Sequence, residues 1–187
     1  FKTGISFTNN IAISQATDRS SIRVSYTNSE LSGYMPNSSL RKNIFNVSAS
    51  TSSADKKLEV MANVTYFNSA ARGRSQTGYD NNNVMEKFIQ WGHRQLDMKE
   101  LEALYKNPND GSQIVWNRKD WNDPAPAYAN NPYWSRYVNY QNDTRNRVYG
   151  NVGFVYHILP ILKFQYKANL DFFADKQFER NAVYSQE

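Results

Sequence analysis

His93 and His157 are the only imidazoles in the 187 residues, and there is no cysteine. The two histidines lie on different segments and do not form a pair. No nucleophile elbow, Gly-rich phosphate loop or carboxylate-rich metal spacing accompanies them. Asp97, Glu100 and Glu102 sit close together, but helix capping and a solvated helix face account for them. The residues therefore point to no enzyme, no cofactor and no metal site. What remains is recognition by rings. All four tryptophans fall in one segment, with Tyr128, Tyr133, Tyr137 and Tyr140 nearby. Such rings can stack on sugars or peptides, or dock a covering protein. Large aromatics also bury themselves, and the same cluster can be the small core of a long loop. Trp91, Trp116, Trp121, Tyr133, Trp134 and Tyr137 are the candidate contacts for substrate or a lid.

The elements that must carry this segment are strands. Over residues 162–172, Leu162, Phe164, Tyr166, Ala168, Leu170 and Phe172 are apolar, and the residues between them are polar. Side chains on a strand alternate faces, so one face is apolar and the other wet. A tilted strand crosses a bilayer in about 9–11 residues; soluble strands usually run about 5–6. This stretch is predicted to span a membrane, with Lys163, Gln165, Lys167 and Asn169 facing a polar lumen.

The alternation recurs over 5–14, 22–28, 45–51, 58–67 and 148–158. Six consecutive antiparallel strands predict an all-β chain, an antiparallel transmembrane β-barrel wall in three parts. Residues 1–67 hold four strands, and 68–147 form a long extracellular loop. Residues 148–187 hold two more strands and the start of the next outer loop. Links 15–20, 52–57 and 159–161 are short and should face the periplasm, because outer-membrane barrels keep their long loops outside. Six strands are too few to enclose a lumen, and an open edge cannot sit in lipid. The chain is therefore expected to be a piece of a larger barrel. Within the long segment, 97–106 is predicted helical, with Asp97 as cap and Asn107-Pro108 as stop, and 84–91 more weakly so.

The formal charge is +5, the isoelectric point about 9.3 and the mean hydropathy −0.76. No run approaches the roughly 20 apolar residues of a membrane helix. A basic, aromatic-rich chain can bind nucleic acid, but no motif of that kind is present. With the orientation above, Arg41, Lys42, Arg72, Arg74, Arg145, Arg147, Lys176 and Arg180 fall at the outer ends of strands. Arg72, Arg74, Arg145 and Arg147 are predicted to grip the phosphates of lipopolysaccharide, since guanidinium groups hold phosphate bidentately.

Phe1-Lys2-Thr3-Gly4, followed by Thr8-Asn9-Asn10-Ile11-Ala12-Ile13-Ser14, resembles the start of the barrel in SusC-like (SusC/RagA) TonB-dependent outer-membrane transporters of the Bacteroidetes. Gly33-Tyr34-Met35-Pro36-Asn37-Ser38 is similar to that family's first short outer loop. Gln90-Trp91-Gly92-His93-Arg94-Gln95-Leu96-Asp97, Asn131-Pro132-Tyr133-Trp134 and Arg147-Val148-Tyr149-Gly150-Asn151-Val152 resemble its long outer loop and return strand. Leu159-Pro160-Ile161 departs from the family's usual Thr-Asp-Trp turn. The resemblance implies an energised importer with a plugged barrel of about 22 strands. It also implies a plug and TonB box, neither of which is in this chain, through which TonB would act, and a SusD-like surface lipoprotein as lid. The implied cargo is oligosaccharide or peptide. A secreted all-β carbohydrate-binding module with an aromatic platform is the competing reading.

Overall fold

The computed structural model describes residues 2–186; Phe1 of the opening motif and Glu187 lie outside the described residues. Six strands form one antiparallel sheet in chain order. They are β1 (Ile5–Ala16), β2 (Ser20–Ser32), β3 (Ser39–Ser52), β4 (Leu58–Arg72), β5 (Tyr140–Leu159) and β6 (Leu162–Arg180). Between β4 and β5 lie three short helices, α1 (Val84–Trp91), α2 (Met98–Ala103) and α3 (Pro132–Tyr137). The chain is all-β in architecture, as the alternation predicts. The strands run longer than expected: β5 begins at Tyr140 and β6 reaches Arg180. The segment between strands is accordingly 73–139 rather than 68–147.

Residues paired across a sheet share a face, so the register fixes the rows. Ile13, Val24, Val47, Val64, Gly150 and Leu170 make one row, and Ile11, Tyr26, Phe45, Tyr66, Val148 and Phe172 the next. On the other face, Ser14, Arg23, Ser48, Asn63, Asn151 and Asn169 line up. The period of two is thus kept in step across all six strands. Gly150 is needed for this: a Cβ there would strike the carbonyl oxygen of Asn63 on β4.

The burial of the two faces is inverted relative to a soluble sheet. On β4, Val64 is 43% exposed while its neighbour Thr65 is 5% exposed. Asn46 Nδ2 donates to Thr65 Oγ1 at 2.7 Å, and Asn63 Nδ2 to Ser48 Oγ at 2.6 Å, so the polar face satisfies itself. The apolar face carries no second layer among the described residues, and Ile11, Ile13, Phe45, Tyr66, Leu170 and Phe172 are all exposed on it.

Beyond the aromatic row, the apolar face ends abruptly in amides. Asn9, Asn28, Asn43, Asn68 and Asn146 occupy one row on five successive strands. Asn28 donates to Asn43 at 3.0 Å, Asn43 to Asn68 at 3.4 Å and Asn68 to Asn146 at 2.8 Å. The hydroxyls of Tyr26 and Tyr66, one row inward, donate to Asn43 and Asn146, both at 2.8 Å.

Candidate functional site at the helical end of the sheet

The links 17–19, 53–57 and 160–161 lie at one end of the sheet; the β2–β3 link and the 73–139 segment lie at the other. That second end holds most of the compact core. Asn131 is its hub. Its side chain caps α3 at the Tyr133 N–H and donates to the carbonyls of Leu101 and Ile114. Its own N–H donates to Gln113 Oε1 at 2.9 Å. A fully buried amide is tolerable only when so completely satisfied. The predicted helix at 97–106 is shorter, Met98–Ala103, because the chain turns at Leu104 and Lys106 pairs with Gln113. Asp97 caps it as expected, accepting from the N–H groups of Lys99 and Glu100.

Residues 181–186, after β6, pack into this same unit. Trp134 Nε1 donates to Ser185 Oγ at 2.9 Å, the Ala182 N–H to Asn139 Oδ1 at 2.9 Å, and the Gln186 N–H to Asn130 Oδ1 at 2.6 Å. This end of the sheet is therefore built from two separate stretches of chain.

Most of the candidate rings support one another. Trp134 is 2% exposed and belongs to the core. Tyr133 is buried, stacks on Tyr137, and burial pushes its phenol up. Tyr137 also meets Tyr105. Trp116 stacks on Phe88 and donates its indole N–H to the Trp91 carbonyl at 3.3 Å. Trp91 stacks on Tyr128 with centroids 4.4 Å apart. Trp121 differs: at the tip of a small turn closed between Asp120 and Asp123, it is 87% exposed. An apolar cavity of about 350 Å³ opens between α1, α3 and the β2–β3 link, lined by Met35, Met85, Phe88, His93, Met98 and Tyr133. His157 lies at the opposite end, 3.4 Å from Glu59.

The candidate lumen residues Lys163, Gln165, Lys167 and Asn169 share the face of Asn63 and Asn151, opposite His157, Val155, Gly153 and Asn151 respectively. They lie on an edge strand and are exposed.

The four candidate rim arginines divide. Arg145 and Arg147 lie in the polar-face rows and form two-pronged pairs with Asp175 and Asp171. Arg74 pairs with Asp143. Arg72 lies in the apolar-face rows beyond the amide ladder and has no ion pair among the described residues. Arg72 and Arg74 flank Gly73, and both line one cleft with Arg136, which donates to the carbonyls of Gly73 and Arg74.

Arg136, on α3, has no counterpart in the sequence reading. It is 4% exposed. Its Nε donates to the Pro36 carbonyl at 3.0 Å, Nη2 to that of Gly73, and Nη1 to that of Arg74 at 3.4 Å. Asn37 Nδ2 returns a bond to the Arg136 carbonyl at 2.7 Å. One side chain thus ties α3 to the β2–β3 link and to the end of β4. Burial lowers its pKa, but a guanidinium stays charged. The local signals available were Asn131-Pro132, an N-cap followed by a proline in the first helical turn, and Gly73, which has φ +60°. Nothing in the sequence joins Gly73 to Arg136, which are 63 positions apart.

No family model matches the chain, and no curated protein matches it.

Proposed function

We propose that this chain forms part of the wall and outer surface of a TonB-dependent outer-membrane importer of the SusC-like kind, taking up oligosaccharides or peptides. The observation that carries this reading is the inverted sheet: one apolar face, continuous over six strands and uncovered, backed by a self-satisfied polar face. Water is a poor solvent for such a face, and lipid is a good one. From the row of Leu58 to that of Tyr66 the strand rises about 26 Å at ~3.3 Å per residue. With a strand tilt of about 40° this gives an apolar band of about 20 Å, close to the ~25 Å typical of outer-membrane barrels. The tyrosines and the amide ladder at its outer edge suit an interface where one end of each ring is wet.

In this reading the outer unit meets substrate and a SusD-like lipoprotein lid, and Trp121 is its most accessible ring. TonB acts through a plug and TonB box carried elsewhere in the protein. A secreted carbohydrate-binding sandwich would need a second sheet over the apolar face, and the described residues supply none.

The test is paramagnetic accessibility in the intact protein within a bilayer, with spin labels at successive positions of β6 from Phe164 to Leu170. Oxygen, which concentrates in lipid, should reach the even positions best, and a water-soluble nickel chelate the odd ones. Equal profiles along the strand would remove the membrane reading.

A further inference from the structure

We infer that the cleft beneath the β2–β3 link is a binding site for a phosphate monoester. The cleft is about 210 Å³ and is lined by Arg72, Arg74 and Arg136 together with Ser38, Ser39 and Ser75. None of its lining residues is acidic. All three arginines line it because Gly73 turns the chain through φ +60° between Arg72 and Arg74, and Arg136 clasps that turn from α3.

The charges decide the ligand. Asp143 neutralises Arg74. Arg136 donates to three carbonyls and to no carboxylate, which satisfies three of its five N–H groups but leaves its charge uncompensated. Arg72 has no ion pair among the described residues. Two positive charges therefore stand unbalanced around one small cleft. A phosphate monoester carries about −1.5 to −2 charge at pH 7 and presents three strong acceptor oxygens. A sulfate ester or a carboxylate brings only one charge. Guanidinium forks match phosphate oxygens bidentately. Elsewhere the same residue type is differently engaged: Arg145 and Arg147 are each closed by an aspartate. The site stands on this geometry and does not depend on the transporter reading.

The phosphate has two possible sources, a glycolipid headgroup or a phosphorylated sugar in solution. Both can approach, since Arg72 belongs to the apolar-face rows while Leu31, Leu40 and Ala71, which also line the cleft, belong to the polar face.

The experiment titrates the intact protein with glucose 6-phosphate, glucose 6-sulfate and glucose. In parallel it measures adsorption of lipid A and of dephosphorylated lipid A. In at least one arm the phosphorylated probe should bind 10-fold or more tighter than its control. That preference should fall at least 10-fold in Arg72→Gln and should survive Arg147→Gln. Phosphosugar binding alone assigns the site to a solute; phosphate-dependent lipid A binding alone assigns it to the membrane. Binding should also weaken below about pH 6, where the monoester loses its second charge. Absence of phosphate preference in both arms overturns the site, as does equal loss in Arg72→Gln and Arg147→Gln. Arg136 is left unaltered because it holds the turn, so misfolding cannot imitate the expected result.

Discussion

Val64 and Thr65 are consecutive on β4, and the threonine is the buried one of the pair. In a sheet stabilised by water alone the order would be reversed. The expected consequence is that charge is tolerated by face rather than by side-chain size. On β6, Ala168 shares the apolar face and Asn169 the polar one. In a bilayer, Ala168→Arg should cost about 2–4 kcal/mol of folded protein, and Asn169→Arg much less. Denaturant titration in lipid vesicles measures both, and equal losses would reverse the assignment of faces.

The amide ladder makes a different prediction. Asn146 Oδ1 accepts from both Tyr66 and Asn68 at 2.8 Å. Asn146→Ala leaves those donors to find water at an exposed site, so the loss should sit near the lower end of ~1–3 kcal/mol. A double-mutant cycle with Tyr66→Phe should show coupling of about 0.5–1.5 kcal/mol. Strict additivity would mean that the ladder is only a row and not a network.

Gly73 and Gly78 form a natural comparison. Both have positive φ, +60° and +66°. A Cβ at Gly78 meets nothing, whereas one at Gly73 falls on the Asn37 carbonyl and lies 2.8 Å from Arg136 Nη2. Gly78→Ala should cost only the backbone term, about 1 kcal/mol. Gly73→Ala should cost more and should speed hydrogen exchange at α3, which Arg136 no longer anchors. Equal exchange in the two variants would discount the clasp.

The strands were readable because each crosses the apolar band with one wet face and one dry face. Past Asn146 and Ala174 that contrast ends. Arg145, Asp143, Asp175 and Lys176 are polar on both sides, so period two vanishes although the ladder of β5 and β6 continues. There the register and the Arg–Asp pairs hold the strands, and neither is a local property. α3 was missed because it is buried nearly all round, Ser135 and Arg136 included, and so shows no amphipathic period; only Asn131-Pro132 marked its start. Of the site, Arg72 and Arg74 were visible as charges at a strand end. Arg136 was not, because its partners come from Pro36, Gly73 and Arg74, each far away in sequence.

Trp134 and Trp121 should behave as opposites. Trp134→Ala should cost about 3–5 kcal/mol, as expected for emptying a packed ring site. Trp121→Ala should change stability by less than about 0.5 kcal/mol. If the proposed importer reading holds, its effect appears instead in association with a lid protein or substrate, read by pull-down or uptake. Unchanged association would reduce Trp121 to a bystander.

Acid should loosen the turn at 107–112. Ser112 donates to Asp110 from both its hydroxyl and its N–H, and holds the carboxyl below its ordinary 3.8. A depressed carboxylate stabilises the fold above the unfolded value and loses that contribution as pH falls through the folded one. An NMR titration should find Asp110 below 3.8 and should find it higher in Ser112→Ala. No change on substitution would assign the shift to another group.

The bonds from Trp134, Asn139 and Asn130 to residues 181–186 also impose an order of assembly. The 73–139 unit is synthesised before β5 and β6, yet it lacks these partners until both strands have followed and brought Ser185 back to Trp134. Those hydrogen bonds therefore cannot form until β6 has been made and residues 181–186 have followed it. The helical unit at this end of the sheet is finished only by chain that lies beyond the strands it rests on.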